Sequence, residues 1–240
     1  MSLAKKHKAE CKAKFAAQVI EQEATARNEA GSAAAINFIP EHNAPLDVLF
    51  AALQNDLAAL HDITDVQKKI ALKKEHLIPK WLPFVEQYIQ SGAHHPFEPL
   101  VRLAIWLIDA EEIDKAIELT DYAIKQLQKM PDGFKSDLDS FAAESIHDWA
   151  LKQFKAGHSA EPFFSQVVER VENKQWLVTQ PIVLNKLFKL VALVAEKDNQ
   201  PEKAEVYFLK CVEVNPKGHG VKGALHAVQK KLGKEPTPVY

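Results

Sequence analysis

The apolar residues between positions 46 and 77 recur at intervals of three or four residues, and this pattern restricts the fold more than any other feature of the chain. The positions are Leu46, Leu49, Leu53, Leu57, Leu60, Ile63, Val66, Ile70 and Leu77, with one irregularity between Leu60 and Val66. Such spacing places side chains along one helical face and approaches a heptad repeat. One long helix over residues 46–78 is therefore predicted. The pattern leaves open whether this helix joins other copies in a coiled coil or packs on its own domain.

The composition favours an all-α protein in a reducing compartment. Glycine supplies 8 of 240 residues, about half of its usual share, and no long alternating run of β-branched residues occurs. Cys11 and Cys211 lack the spacing of a metal or redox motif, so free thiols are predicted. No apolar run approaches 18 residues, so no membrane segment is expected and the protein is predicted to be soluble in a cytoplasm.

Helical hairpins are predicted downstream of the long helix. Pro79 and Pro83 flank Trp81. Because proline suits the first turn of a helix, a new helix is expected to begin near Trp81. The Trp81 side chain is expected to be either a packing residue or a contact for a partner. Helices over 97–109 and 114–129, joined by a short acidic turn, predict an antiparallel αα-hairpin with Asp114 as N-cap. Further helices are expected over 140–154, 163–171, 181–196, 201–214 and 221–232.

Two of these hairpins are similar in form, which suggests tetratricopeptide-like packing. Residues 105–123 and 190–211 each read as helix, polar turn and a second helix that opens with Lys-Ala. We therefore expect long N-terminal helices followed by a domain of antiparallel αα-hairpins. Four segments are predicted: a basic N-terminal helix and linker over 1–45, a candidate oligomerisation helix over 46–78, a helical-hairpin domain over 79–216, and a basic C-terminal helix and tail over 217–240.

Three clusters of lysine are candidate contacts for nucleic acid, although the net charge of the whole chain is only −2. The N-terminal cluster is the preferred DNA-binding site and comprises Lys5, Lys6, Lys8, Lys12 and Lys14, opposed only by Glu10. A second group is Lys68, Lys69, Lys73 and Lys74, and a third is Lys217, Lys222, Lys230, Lys231 and Lys234. Lysine neutralises DNA phosphates, but a solvated helix face has the same composition.

The sequence contains no phosphate-binding loop and no nucleophile elbow, so ATP hydrolysis by this chain is not expected. Candidate catalytic residues are Asp109, Glu112 and Asp114, because nucleases hold Mg²⁺ through two or three carboxylates. Acidic residues at a helix N-terminus also stabilise the helix dipole, which is the structural alternative. No metal site is predicted, and Mg²⁺ is expected only if the chain is a nuclease.

A resemblance to a known family rests on the order of several sequence words: KKEHLIPKWLPF, RLAIWLIDAEEIDKAIEL, KMPDGFKSDL followed by FAAESI, LNKLFKLVAL and NPKGHGVKGAL. Together these resemble the small terminase subunit, often labelled the terminase endonuclease subunit, of temperate contractile-tailed bacteriophages or prophages. The likeness extends from about residue 68 to residue 232 and is less clear over the first 65 residues.

The resemblance implies a protein of the host bacterial cytoplasm that binds the cohesive-end packaging site of concatemeric double-stranded phage DNA. It implies a ring-like homo-oligomer that recruits or regulates a large subunit carrying the ATPase, so ATP is expected in that partner. Two alternatives stay open. One is a metal-dependent endonuclease subunit that cuts the cohesive-end site, and the other is a tetratricopeptide-like adaptor that binds only protein.

Overall fold

The computed structural model describes residue 40 and residues 44–239, and within them every regular element is helical. This confirms the all-α class, while the tetratricopeptide-like packing stays a prediction. The helices are α1 (Leu46–Asp62), α2 (Val66–Leu72), α3 (Ile78–Ser91), α4 (Glu98–Asp109), α5 (Ile113–Lys125), α6 (Leu138–Lys155), α7 (Phe163–Glu172), α8 (Pro181–Lys197), α9 (Pro201–Val214) and α10 (Lys222–Lys231), with a π-helical turn (Lys73–Leu77) between α2 and α3.

The chain divides into two compact units between Phe84 and Val85, within α3. In the first unit the structure describes α1, α2, the π-helical turn and the first half of α3. The second unit contains the remaining helices. Among the helices of the described ranges, none is long and apolar enough to cross a membrane. The roles assigned to the four predicted segments stay predictions.

The single helix predicted over residues 46–78 is wrong, because the chain leaves the helical conformation between α1 and α2. The break lies at Ile63 to Asp65, where the apolar spacing is irregular. The Asp65 carboxylate oxygen Oδ1 accepts a hydrogen bond from the backbone N–H of Lys68 at 2.9 Å. This side-chain cap satisfies one of the free amides at the start of α2 and fixes the new helix.

The new helix predicted near Trp81 is also wrong, because helical backbone continues through both prolines. The π-helical turn ends at Leu77, two residues before Pro79, and the backbone N–H of Ile78 donates to the carbonyl of Lys73 within it. This wider turn departs from the regular hydrogen-bond ladder at the position where proline has no N–H to donate. Trp81 is fully buried, and such packing offsets the cost of a proline inside a helix, about 3 kcal/mol.

The second unit contains the predicted hairpin of α4 and α5, joined by a short turn, and α8 and α9 pack against each other in a second pair. Helix α4 is buried on almost every side, and its Trp106 is 3% exposed. Arg170 of α7 ties this region together, because its guanidinium donates two hydrogen bonds of 2.9 Å to Asp121 of α5. The Trp176 indole N–H donates to the same carboxylate at 2.7 Å.

Helix α5 ends four residues before the predicted boundary at Lys129. Leu127 adopts a left-handed backbone conformation with φ of 53°, and its N–H donates to the carbonyl of Ile124 at 2.9 Å. The N–H of Gln128 donates to the carbonyl of Ala123 at 3.0 Å. These two bonds form a Schellman cap, whose left-handed residue is usually glycine. The helix end was missed because a leucine occupies that position.

A C-terminal core holds the tail of the chain in place. Val239 is 5% exposed and belongs to the same apolar cluster as Phe208 and Leu225. The side chain of Gln229 accepts the backbone N–H of Thr237 at 2.9 Å and donates to the Thr237 hydroxyl at 2.6 Å. The last described residues are therefore part of the folded second unit.

Candidate functional site

The preferred DNA-binding lysines of the sequence lie outside the described residues. They are Lys5, Lys6, Lys8, Lys12 and Lys14. Their role stays a prediction, and the lysines that the structure does describe can be compared directly with one another.

The α2 lysine group comprises Lys68, Lys69, Lys73 and Lys74 and lies on α2 and the π-helical turn. Lys68 and Lys74 are exposed, while Lys69 and Lys73 are half-buried. Helix α2 itself contains no buried residue. At a rise of 1.5 Å per residue, the group spans roughly 9 Å along the helix. That length is comparable to two or three nucleotides of one DNA strand at about 3.4 Å each.

A buried network in the first unit joins α1 to the residues that follow the α2 lysine group. The Asp56 carboxylate of α1 accepts a hydrogen bond from the Lys80 ammonium at 2.8 Å and from the Trp81 indole at 2.7 Å. The side chains of Asp56 and Lys80 are 0% and 3% exposed. Burial raises the pKa of Asp56, although the hydrogen bonds from Lys80 and Trp81 act in the opposite direction. This network anchors α3, and with it the preceding turn, to α1.

Sequence reasoning missed Asp56 and left two interpretations open for Trp81. Trp81 is fully buried and donates to Asp56, so its interpretation as a packing residue is confirmed and the alternative of a partner contact is wrong. A signal was present, because Asp56 lies three residues after Leu53 and four before Leu60, on the apolar stripe. A charged residue at such a position requires a buried partner.

The C-terminal lysines carry less uncompensated charge than their sequence count indicates. All five are exposed, but Lys231 lies 3.7 Å from the Glu196 carboxylate, and Lys234 is ion-paired with Glu205. The two acidic partners come from α8 and α9, which are distant in sequence. The α2 lysine group and the C-terminal lysines both stay candidates for a nucleic-acid surface among the residues that the structure describes.

The candidate catalytic carboxylates lie around the turn between α4 and α5. Asp109 ends α4, Glu112 occupies the N-cap position of α5, and Asp114 lies in the first turn of that helix. The prediction that Asp114 is the N-cap is therefore wrong by two residues, and Glu112 makes no side-chain cap hydrogen bond. Glu111, in the same turn, pairs with Lys152 at 2.6 Å.

No group of three or more His, Cys, Asp or Glu side chains in the described ranges is arranged to hold a metal ion. The catalytic role of the three carboxylates stays a prediction.

Comparison with known proteins gives one family and two curated relatives. The family model described as phage small terminase subunit matches residues 50–180. The chain is 36% identical over 162 residues to the protein named "Probable terminase, endonuclease subunit" of Haemophilus phage HP1 (strain HP1c1), and the alignment covers 68% of this chain and 57% of that relative. It is 24% identical over 191 residues to the "Terminase, endonuclease subunit" of Escherichia phage P2, and that alignment covers 80% of this chain and 74% of the relative.

The aligned region thus spans little more than half of the Haemophilus phage relative's length. No solved structure matches the chain significantly.

Proposed function

We propose a role in viral DNA packaging, because this chain belongs to the phage small terminase subunit family. In this role the chain binds double-stranded phage DNA at a cohesive-end packaging site, assembles with further copies of itself and recruits a large subunit that hydrolyses ATP. The work takes place in the cytoplasm of the bacterial host. The family match over residues 50–180 is the observation that carries the proposal, and it includes the α2 lysine group.

DNA binding is assigned to two basic segments. The first is the N-terminal cluster of Lys5, Lys6, Lys8, Lys12 and Lys14, and the second is the α2 lysine group. Lysine contacts to phosphates release counterions, so each contact makes the affinity more sensitive to salt. Such contacts position the protein on the duplex without reading its sequence.

Self-association is supported by exposed apolar side chains in the predicted oligomerisation segment. Leu46 and Val48 of α1 are 43% and 38% exposed, and Val66 of α2 is 65% exposed. An exposed apolar side chain is removed from water when another copy of the chain packs on it, which favours association. We therefore expect a solution mass above the 26.9 kDa of one chain.

A salt titration of DNA binding tests the proposal. Fluorescence anisotropy is measured with a labelled cohesive-end duplex for the parent protein and for a variant with the α2 lysine group changed to glutamine. Because log K falls by about 0.9 per phosphate contact for each decade of salt, loss of two to four contacts should flatten the slope by roughly 2 to 4.

The charge-matched control changes four exposed lysines of the second unit that belong to none of the candidate clusters, Lys135, Lys155, Lys174 and Lys203, to glutamine. An equal loss in the control would show that only long-range charge matters and would overturn the α2 assignment. A parent protein that binds no DNA at low salt would overturn the DNA-binding role and favour the protein-binding adaptor.

A second candidate function is endonuclease activity, because both curated relatives carry that word in their names. The residues proposed for it are Asp109, Glu112 and Asp114, with Mg²⁺ as the cofactor. Purified protein would be incubated with cohesive-end DNA and Mg²⁺ in the absence of a large subunit. Cutting that disappears in the triple alanine variant would establish this activity, and no cutting by the parent would assign cleavage to the partner.

A further inference from the structure

Residues 234–239 follow α10, form no helix and contact side chains of α9 and α10. Pro236 and Pro238 stand on either side of Thr237. A residue that precedes proline favours an extended backbone, and proline itself has few accessible conformations. The segment therefore loses little conformational entropy when it is held in an extended form. We refer to residues 234–239 as the Thr237 strap.

Burial alternates along the Thr237 strap. Val239 is 5% exposed and belongs to an apolar cluster formed by α8, α9 and α10. Thr237 is half-buried, whereas Pro236 and Pro238 are exposed. An extended segment that lies on a surface buries every second side chain in this way. Because Val239 is the one buried side chain of the strap, little apolar surface holds it, and a segment of this kind opens locally while the core stays folded.

Two side chains of α10 bind the backbone of Thr237. The Gln229 amide accepts the Thr237 N–H at 2.9 Å and donates to the Thr237 hydroxyl at 2.6 Å. The Nε2 atom of His226 donates to the Thr237 carbonyl at 3.0 Å. Because proline has no N–H, Thr237 is the residue of the Pro-Thr-Pro stretch that has both backbone groups available. Both groups are bound by side chains of the helix.

The polar groups beneath the strap are buried and held in position. Gln229 and Glu205 are 2% and 7% exposed, and the Gln229 amide donates to the Glu205 carboxylate at 3.2 Å. Glu205 also forms an ion pair with Lys234. Buried polar side chains require hydrogen-bond partners, so this surface favours a segment with matching polar groups over a purely apolar one.

These contacts define the kind of segment that the surface recognises. Glu205 binds a basic residue, Gln229 and His226 bind the backbone of a hydroxyl-bearing residue, and the apolar cluster binds an aliphatic side chain. In the strap these residues are Lys234, Thr237 and Val239, which gives the pattern Lys-x-x-Thr-x-Val. We refer to the surface of α9 and α10 that makes these contacts as the strap site.

We propose that the strap site is a binding site for an extended peptide of the pattern Lys-x-x-Thr-x-Val, and that the Thr237 strap occupies it as an intramolecular ligand. A partner segment of the same pattern displaces the strap and replaces its hydrogen bonds. Such recognition obtains affinity from main-chain hydrogen bonds and specificity from pockets for alternate side chains. Because the strap is tethered beside the site, its high effective concentration opposes a competing peptide. The inference is independent of the proposed packaging function.

Hydrogen–deuterium exchange of the unmodified protein tests whether the strap opens on its own. Peptides that cover residues 234–239 should exchange at least tenfold faster than peptides from the centre of α9, because local opening exposes the strap while the core stays folded. Equal exchange of the two regions would show that the strap opens only when the core unfolds, and this result would overturn the proposal.

A labelled peptide with the sequence of residues 234–240 tests the strap site directly by fluorescence anisotropy. The strap is released in the full chain by changing Thr237→Ala together with Val239→Asp. The released variant should keep the circular dichroism of the parent and bind the peptide at least tenfold more tightly, because its own strap no longer competes. Glu235→Gln, which changes an exposed residue of the strap, is the matched control and should bind like the parent.

A second peptide that carries the same two changes, Thr237→Ala and Val239→Asp, should not bind the released variant. Equal binding of both peptides would show that the contact is non-specific and would overturn the proposal. Loss of helical structure in the released variant would show that the strap is an integral part of the core, which also overturns it. So does a folded released variant that binds the first peptide no better than the parent does.

Discussion

Removing the Asp56 carboxylate should destabilise the first unit severely, because it is the acceptor for two buried donors. In Asp56→Ala the Lys80 ammonium loses its 2.8 Å partner at a site where it is 3% exposed. Breaking a buried ion pair from one side costs about 3–5 kcal/mol, and the cost to the Trp81 indole, which loses a 2.7 Å acceptor, overlaps with it. Alanine improves helix propensity by about 0.6 kcal/mol. The net loss should be about 4 kcal/mol.

The assay is hydrogen–deuterium exchange of peptides from α1 and α3, which reports on the first unit without assuming that both units unfold together. A loss of about 4 kcal/mol should accelerate exchange of the slowest amides several hundredfold, since about 1.4 kcal/mol corresponds to a factor of ten. Asp62→Ala, which changes an exposed acid at the end of the same helix, should stay within about 0.5 kcal/mol of the parent.

A double variant distinguishes loss of the ion pair from loss of packing. Replacing both partners, Asp56→Leu with Lys80→Met, removes the buried positive charge and should recover most of the stability lost in Asp56→Ala. The reasoning fails if Asp56→Ala costs less than about 1 kcal/mol. It also fails if the double variant exchanges as fast as the single one.

Three further outcomes are expected in the second unit. Burial raises the pKa of the Cys211 thiol to about 12, so in a variant without the other cysteine it should resist a thiol reagent at pH 8 until denaturant is added. The hydrogen bond from Lys234 lowers the pKa of Glu205 in the folded protein. The Glu205 carboxylate therefore contributes its full stability above the unfolded pKa of about 4.3 and loses that contribution as the pH falls through the lower folded pKa. Acid unfolding of Glu205→Gln should accordingly depend less on pH than that of the parent protein. Asp121→Ala should lower the free energy of unfolding, measured by urea denaturation, by about 2 kcal/mol, because the Arg170 guanidinium and the Trp176 indole N–H both lose their acceptor. A loss below about 0.5 kcal/mol would show that solvent replaces these hydrogen bonds.

The periodic helices could be predicted from sequence because their signals are local. The bounds of α9 agree with the prediction, since proline opens that helix and Asn215-Pro216 follows it. The break before α2 was missed although Asp65 is a good cap, because apolar residues continue on both sides of it with only one irregularity in their spacing. The continuation through Pro79 and Pro83 could not be predicted, because it depends on burial of Trp81 and on a π-helical turn for which the sequence has no simple signal.

Charge at a surface was harder to predict than helix position, because it depends on residues that are distant in sequence. Lys231 and Lys234 appeared unopposed in the linear count, but folding brings Glu196 and Glu205 beside them. Lys80 belongs to the same lysine-rich stretch as Lys74, but only its buried contact with Asp56 shows that it cannot face DNA. The helical class was thus within reach of sequence reasoning, whereas the contacts of Lys80, Lys231 and Lys234 with carboxylates distant in sequence required the structure.

The π-helical turn sets the angle, about the helix axis, between the side chains of α2 and those at the start of α3. Its hydrogen bonds enclose one residue more than those of an α-helix, so it acts as a single-residue insertion within α2 and α3. If the same residues formed a regular α-helical ladder instead, the following residues of the first unit would turn by about 100° relative to the α2 lysine group, and Lys80 and Trp81 would point away from Asp56. Deleting one residue from the turn, such as the exposed Glu75, would restore the regular ladder and keep the present direction. The wider turn thus accommodates one additional residue while Lys80 and Trp81 still reach Asp56.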